Sequence, residues 1–271
     1  MREQNLKIKP TILKLGGSVI TEKNKVFTPN KKAINRLAKE ISEANVSRLI
    51  LVHGGGSFGH PLAKQYRIKE GFTGSSSQIF GFSKTHEAMV SLNKLIVDAL
   101  INHNISAVSL APSSFVFTKS GRILHFEDKP LTKFLEMGFV PVLYGDAVLD
   151  LEIGFTILSG DQLTAFLASK FDAQKILIGI DVDGLFTNDP KTYPSAQLIP
   201  KITLQELKNM QHKMEEPKVT DVTGGMLGKI LELTPVVEGG IPVIIVNAAK
   251  PKNVYKALKG EKVLGTLIEK G

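Results

Sequence analysis

Thr11-Ile12-Leu13-Lys14-Leu15-Gly16-Gly17-Ser18 is a short apolar run with one lysine inside it and two glycines at its end. Thr11–Leu15 reads as a β-strand, and glycines directly after a strand let backbone N–H groups converge on an anion. A second stretch repeats the pattern. Leu49-Ile50-Leu51-Val52-His53 runs into Gly54-Gly55-Gly56-Ser57-Phe58-Gly59. Its unbroken apolar run suits a strand buried on both faces, as parallel sheets require. One such cluster could be a tight turn. Two at the ends of buried strands, one with an embedded lysine, point to anion-binding loops.

Working outward, strands and helices alternate. Thr28-Pro29 is expected to open a helix with proline in its first turn, its apolar face carried by Ile34, Leu37, Ala38 and Ile41. A long helical pattern runs from Ser77 to about Asn102, and Ser106–Leu110 reads as a strand. Phe115–Thr118 and Arg122–Phe126 flank Lys119-Ser120-Gly121, a hairpin signal, and Ala147–Leu149 with Gly154–Leu158 reads as another. Leu131–Met137 and Asp161–Phe171 read as helices, and Phe139–Tyr144 and Lys175–Asp181 as strands. After the polar stretch Val182–Lys201 come a helix over Met226–Glu238, the strand Ile241–Asn247, a helix over Asn253–Leu258 and the strand Leu264–Ile268. This order predicts an α/β fold: a three-layer αβα sandwich with a central, largely parallel sheet. There is no internal repeat or linker, and the softest division falls near Lys170.

Composition narrows the class. The chain has 271 residues, 42% hydrophobic and 22% charged, which is ordinary globular usage. It has no cysteine, so disulfides, thiolate metal sites and a cysteine nucleophile are excluded. Met1–Pro10 is polar and charged, unlike a signal peptide, and no apolar run approaches the ~18 residues of a membrane span. A cytoplasmic protein is expected. The net charge is +8, carried by 29 lysines and 5 arginines. The lysines are spread along the chain, with no run longer than Lys31-Lys32 and no basic stripe interleaved with aromatics, which argues against nucleic acid as a partner.

Gly54, Gly56 and Gly59 match the spacing G-x-G-x-x-G. A dinucleotide fingerprint also needs an acidic residue about 20 positions on, and the window Gly74-Ser75-Ser76-Ser77-Gln78 has none. The P-loop spacing is absent; Gly224-Gly225-Met226-Leu227-Gly228-Lys229-Ile230 comes nearest. Ser159-Gly160-Asp161 precedes a helix, where Asp161 reads first as an N-cap. Lys229 sits early in another helix, where a helix N-terminus plus a lysine can hold phosphate and where a lone lysine can equally be solvated surface.

In this order, Lys14-x-Gly16-Gly17-Ser18, His53-Gly54-Gly55-Gly56, Ser159-Gly160-Asp161, Asp183-Gly184-Leu185-Phe186 and Asp221-x-Thr223-Gly224-Gly225-Met226 resemble the motifs of the amino-acid-kinase superfamily. The resemblance runs from Thr11 to Ile268. Within that superfamily the stretch from Lys14 to Lys23 and the loop Gly56-Ser57-Phe58-Gly59-His60-Pro61 resemble the isopentenyl phosphate kinase family. Fosfomycin kinases share a histidine at the position of His60, so a kinase of another small phosphate or phosphonate is the alternative. A non-catalytic nucleotide-binding or storage protein on the same fold is a second.

The resemblance implies ATP-dependent phosphorylation of isopentenyl phosphate; the sequence has no Asp/Glu cluster dense enough to hold a metal by itself, so Mg²⁺ is expected mainly on the nucleotide phosphates. It implies a homodimer whose single domain has an acceptor half, about 1–170, and a nucleotide half, about 171–271. Lys14 would bridge donor and acceptor, Lys23 and Lys229 would hold donor phosphates, and Asp161 would orient the lysines. His60 would donate a hydrogen bond to the acceptor phosphate, the alternative being a loop-closing histidine with a structural hydrogen bond. Gly54, Gly55, Gly56, Ser57, Gly59 and Gly154 are expected around the acceptor. Gly16, Gly17, Ser18, Asp181, Asp183, Gly184 and Gly225 are expected around ATP, with a turn as the alternative reading of Asp181 and Asp183. Phe72, Phe80, Phe82 and Met89 could wall a prenyl pocket or pack in the core, and His86 could be surface or pocket rim.

Overall fold

The computed structural model describes residues 9–22, 24–188, 190, 193–215 and 226–271. Its strands are β1 (Thr11–Leu15), β2 (Leu49–His53), β3 (Ala107–Ser109), β4 (Val116–Lys119), β5 (Arg122–Phe126), β6 (Val140–Tyr144), β7 (Asp146–Asp150), β8 (Gly154–Leu158), β9 (Lys175–Ile180), β10 (Lys201–Thr203), β11 (Val243–Asn247) and β12 (Gly265–Glu269). The helices are α1 (Gly17–Ile20), α2 (Lys31–Ala44), α3 (Gly56–Gln65), α4 (Ser76–Asn102), α5 (Lys129–Glu136), α6 (Gly160–Lys170), α7 (Leu204–Glu215), α8 (Met226–Leu231), α9 (Thr234–Glu238) and α10 (Asn253–Lys259).

Eight strands form the central sheet in the order β10-β12-β11-β9-β1-β2-β6-β3. Every neighbouring pair is parallel except β11 and β12. β1 is central: Leu13 lies between Leu51 of β2 and Leu177 of β9. Its alternation divides the core. Ile12 joins Ile50, Ile176 and Ile245 against Leu163 and Leu167 of α6 and Val236 of α9. Leu13 and Leu15 face the other way, onto Leu37 and Ile41 of α2 and Leu92 and Ile96 of α4. Helices therefore cover both faces, as the expected αβα sandwich requires. No helix among the described residues is long and apolar enough to cross a membrane.

Three expectations need correction. α2 begins at Lys31, where the Asn30 side chain accepts the Ala33 N–H at 3.0 Å; Pro29 lies before it in a bridge to Thr21. The helix expected over Met226–Glu238 is two helices, because Pro235 cannot continue a preceding turn and instead sits in the first turn of α9. α3 forms where the sequence reads as loop, since its glycines and Pro61 are poor helix formers and tertiary packing overrides them.

The two hairpins form a second sheet in the order β5-β4-β7-β8. Asp150 ties them together. Its carboxylate accepts the Thr118 hydroxyl at 2.7 Å and the N–H groups of Gly121 at 2.8 Å, Ser120 at 3.2 Å, Glu152 at 2.9 Å and Ile153 at 3.0 Å. Burial opposes its ionisation, and the bonds to Ile153, Gly121, Glu152 and Thr118 overcome that and hold its pKa far below the carboxylate range. The depressed value means the stabilisation is complete above the unfolded value near 3.8 and is lost as pH falls through the folded value. Asp150→Asn puts an amide against backbone donors. It should lower unfolding free energy at neutral pH by about 2–3 kcal/mol. Denaturant unfolding checks this; a change within 0.5 kcal/mol, roughly the scatter of surface substitutions, would show that the knot does not hold the hairpins.

Candidate active site

β1, β2, β6 and β9 all end at one cleft. The chain passes from β1 to β2 on one side and returns at β9 on the other, so β1 marks the point where strand order reverses. Ligands of open α/β sheets bind at such points, beyond the carboxyl ends of the strands. The cleft encloses about 690 Å³. It is lined by both glycine loops (Gly16, Gly17 and Ser18; Gly54, Gly55, Gly56, Ser57 and Gly59), together with Lys14, His60, Asp161, Asp181 and Gly184. The N-termini of α3 and α6 both open onto it, bringing the positive ends of two helix dipoles.

The floor is Lys14. It shares the face of β1 that carries Ile12, so its ammonium emerges beneath α6, 5% exposed. Asp161 meets it at 2.7 Å. Ser159, rather than Asp161, caps α6, accepting the Gln162 N–H at 3.1 Å. Asp161 is thus spared for the lysine. Above the floor the two glycine loops touch: a Cβ at Gly17 would lie 2.2 Å from the Gly56 nitrogen, so no side chain fits.

His60 rides on α3 and lines the cleft from an exposed position. The next residue, Pro61, has no N–H to donate to the Ser57 carbonyl four residues back. That carbonyl accepts the Phe27 N–H at 3.1 Å instead, and the Phe27 ring stands edge-on to Phe58 at 5.8 Å. The proline therefore moors the segment 24–28, whose Asn24, Lys25 and Val26 form one wall of the cleft.

On the opposite side, the Ser18 hydroxyl donates to Asp181 at 3.0 Å, joining the first glycine loop to the end of β9. Asp183 does not line the cleft. It accepts Asn247 Nδ2 at 3.0 Å and pairs with Lys250 at 2.7 Å, and the Lys250 hydrogen bond holds its carboxyl below the usual range. Lys23 and Gly225 lie outside the described residues; the backbone of Lys229 falls in α8 and its side chain also lies outside them.

Of the apolar candidates, Met89 reaches the cleft, with Thr85 and Ile157 beside it. Phe82 and Phe72 pack on Phe155 at 5.5 and 5.4 Å, and Phe80 stands against Tyr66 at 6.2 Å; none of the three lines the cleft. Gly154 turns beside Phe72 at φ +79°. His86 pairs with Asp146 at 3.0 Å. His53 ends β2, a residue to which the sequence motif assigns no role. It is fully buried, and burial lowers its pKa to about 4 despite the bond to Gly54. Its neutral ring donates from Nδ1 to the Gly54 carbonyl at 3.1 Å and accepts Asn93 at Nε2, 3.1 Å away, fixing the second glycine loop from below. The detectable signal was a histidine ending an otherwise apolar strand.

The amino acid kinase family model matches residues 9–247. The chain belongs to the amino acid kinase family. It is 42% identical to the isopentenyl phosphate kinase of Methanothermobacter thermautotrophicus, over 95% of this chain and 98% of that protein. The isopentenyl phosphate kinase of Methanocaldococcus jannaschii is 37% identical, over 96% and 98%. A solved isopentenyl phosphate kinase structure superposes with a TM-score of 0.84 at 39% identity, covering 95% of this chain and 99% of that one.

Pro61→Ala tests the mooring. An alanine N–H would compete for the Ser57 carbonyl, so the variant should keep wild-type thermal stability or gain slightly while the acceptor KM rises about threefold, a transition-state loss under 1 kcal/mol. An unchanged KM in steady-state kinetics would show that segment 24–28 is held by other contacts.

Proposed function

We propose that the cleft transfers the γ-phosphoryl group of ATP to isopentenyl phosphate, giving isopentenyl diphosphate and ADP. The observation that carries this is a lysine–aspartate pair at the floor of two touching glycine loops, with His60 on the same cleft, in a chain so similar to isopentenyl phosphate kinases.

Phosphoryl transfer needs positioning and charge neutralisation more than covalent help. The acceptor is a monoester whose second pKa is about 6, so near neutral pH its oxygen is already an adequate nucleophile and no general base is required. That oxygen bonds to the γ-phosphorus as the bond to the bridging oxygen of ADP breaks. Lys14 supplies positive charge between donor and acceptor, and Asp161 fixes where it points. His60 donates a hydrogen bond to the acceptor phosphate as charge builds there. Lys23 and Lys229 hold donor phosphates, with Gly225 beside them.

Mg²⁺ enters the proposal on the nucleotide. Asp161 is engaged by Lys14 and Asp181 by Ser18, so the cation would sit on phosphate oxygens and neutralise part of their charge. Assembly as a homodimer and residence in the cytoplasm belong to the same reading.

The test is a panel of isopentenyl phosphate, dimethylallyl phosphate, fosfomycin, uridylate and glutamate with ATP and Mg²⁺, read by ADP release and product mass. Isopentenyl phosphate should be turned over; preference for fosfomycin would transfer the reading to a phosphonate kinase. His60→Ala should lower kcat by about 10²-fold with the thermal midpoint little changed. His60→Gln, which keeps a donor, should retain more. Equal turnover in the alanine variant would remove His60 from the mechanism.

A further inference from the structure

Among the described residues three carboxylates line the cleft, Asp146, Asp161 and Asp181, although it must admit anionic phosphates. Asp161 is neutralised by a lysine and Asp181 accepts a serine hydroxyl. Asp146 is the most buried of the three, 1% exposed. His86, 60 residues earlier on α4, faces it with Nδ1 at 3.1 and 3.0 Å from the two carboxylate oxygens. The Ala147 N–H donates to Oδ1 at 2.9 Å and the Ser113 N–H to Oδ2 at 3.4 Å; the Ser113 hydroxyl lies 3.4 Å from the imidazole. The buried Tyr144 hydroxyl has no hydrogen-bond partner among the described residues, and the nearby Asp146 charge adds to burial in raising its pKa.

With His60 meeting the acceptor phosphate, as proposed above, the pair stands at the acceptor end. Asp146 follows Gly145, which lines the cleft beside Gly160, and His86 lies between Thr85 and Met89, both lining residues. Met89 sulfur packs directly on Gly55 and Gly59 of the segment that carries His60. We propose that His86 is a positioning residue for the acceptor, which fastens α4 to the start of β7 and, when protonated, cancels the Asp146 charge that would otherwise repel an anionic acceptor. This rests on the kinase reading above.

The sign follows from geometry. The hydrogen bond to Asp146 raises the pKa of His86 against partial burial, so the compensated pair exists at low pH and is lost as pH rises through the raised value. The charged group acting on His86 is Asp146 of β7. Ser113 presents a hydroxyl to His86, Tyr144 lies near Asp146, and Lys84 and Glu87 on α4 pair with each other at 3.5 Å.

The experiment is acceptor KM and kcat from pH 5.5 to 8.5 for wild type, His86→Gln, Asp146→Asn and the double variant, with the Kd of isopentenyl phosphate by titration calorimetry and a thermal melt of each. Titration of the acceptor and of His60 is common to all four and cancels in ratios. At low pH the His86→Gln KM should exceed wild type by about fivefold, about 1 kcal/mol by the usual conversion. The ratio should fall towards one as pH rises through the raised His86 value, with the loss falling on KM rather than kcat. The double variant should return KM to within about twofold of wild type, since no bare carboxylate remains. A ratio flat across the range, or a double variant as poor as His86→Gln, would overturn the proposal. A wild type that binds and turns over no isopentenyl phosphate would instead overturn the kinase reading, and the same ratios taken on inorganic phosphate binding would still decide the role of His86.

Discussion

A lysine in the middle of a parallel sheet, paired with an aspartate of the helix that covers it, is the constraint on which the rest is arranged. Lys14 sits in β1, hydrogen-bonded on both sides and surrounded by aliphatic neighbours, with Asp161 2.7 Å away. Buried ion pairs are poor sources of stability, because desolvation offsets most of the attraction and aliphatic replacements often serve as well. Removing one partner alone is expensive, about 3–5 kcal/mol. A lysine of a central strand held in such a pair therefore indicates use rather than stability. It explains why α6 must start where it does, why Ser159 takes the cap, and why the glycine loops converge above the ammonium.

The same charge economy extends around the cleft. The described carboxylates at its wall are each tied to a donor, so they offset less of the positive field that Lys14, two helix N-termini and the other cations of the cleft present to an entering phosphate. Asp146 relies on a histidine, the side chain whose charge changes near neutral pH. The Phe27 mooring and the neutral His53 work differently, by fixing the backbone that carries the donors.

The buried strands were readable because parallel sheets demand unbroken apolar runs, and Lys14 stood out as a lysine within one. The glycine pairs were readable because close loop contact excludes side chains. The start of α3 was hidden, since Gly56, Gly59 and Pro61 lower helix propensity that packing against α4 restores. The break before α9 was hidden by an apolar pattern that continues across it. His86 and Asp146 meet only through the fold, and nothing local marks Phe82 for a satellite cluster with Ile68 and Phe155 while Met89, two turns on, reaches the cleft.

The most direct measurement of the Lys14–Asp161 coupling is a double-mutant cycle on turnover with Lys14→Met, Asp161→Asn and both together, under saturating ATP and isopentenyl phosphate. Each single change should lower kcat by about 10²-fold or more, and the double variant should be no worse than Lys14→Met, because an aspartate acting through the lysine has nothing left to orient. Losses that multiply in the double variant would contradict the coupling and make the two residues independent parts of the site.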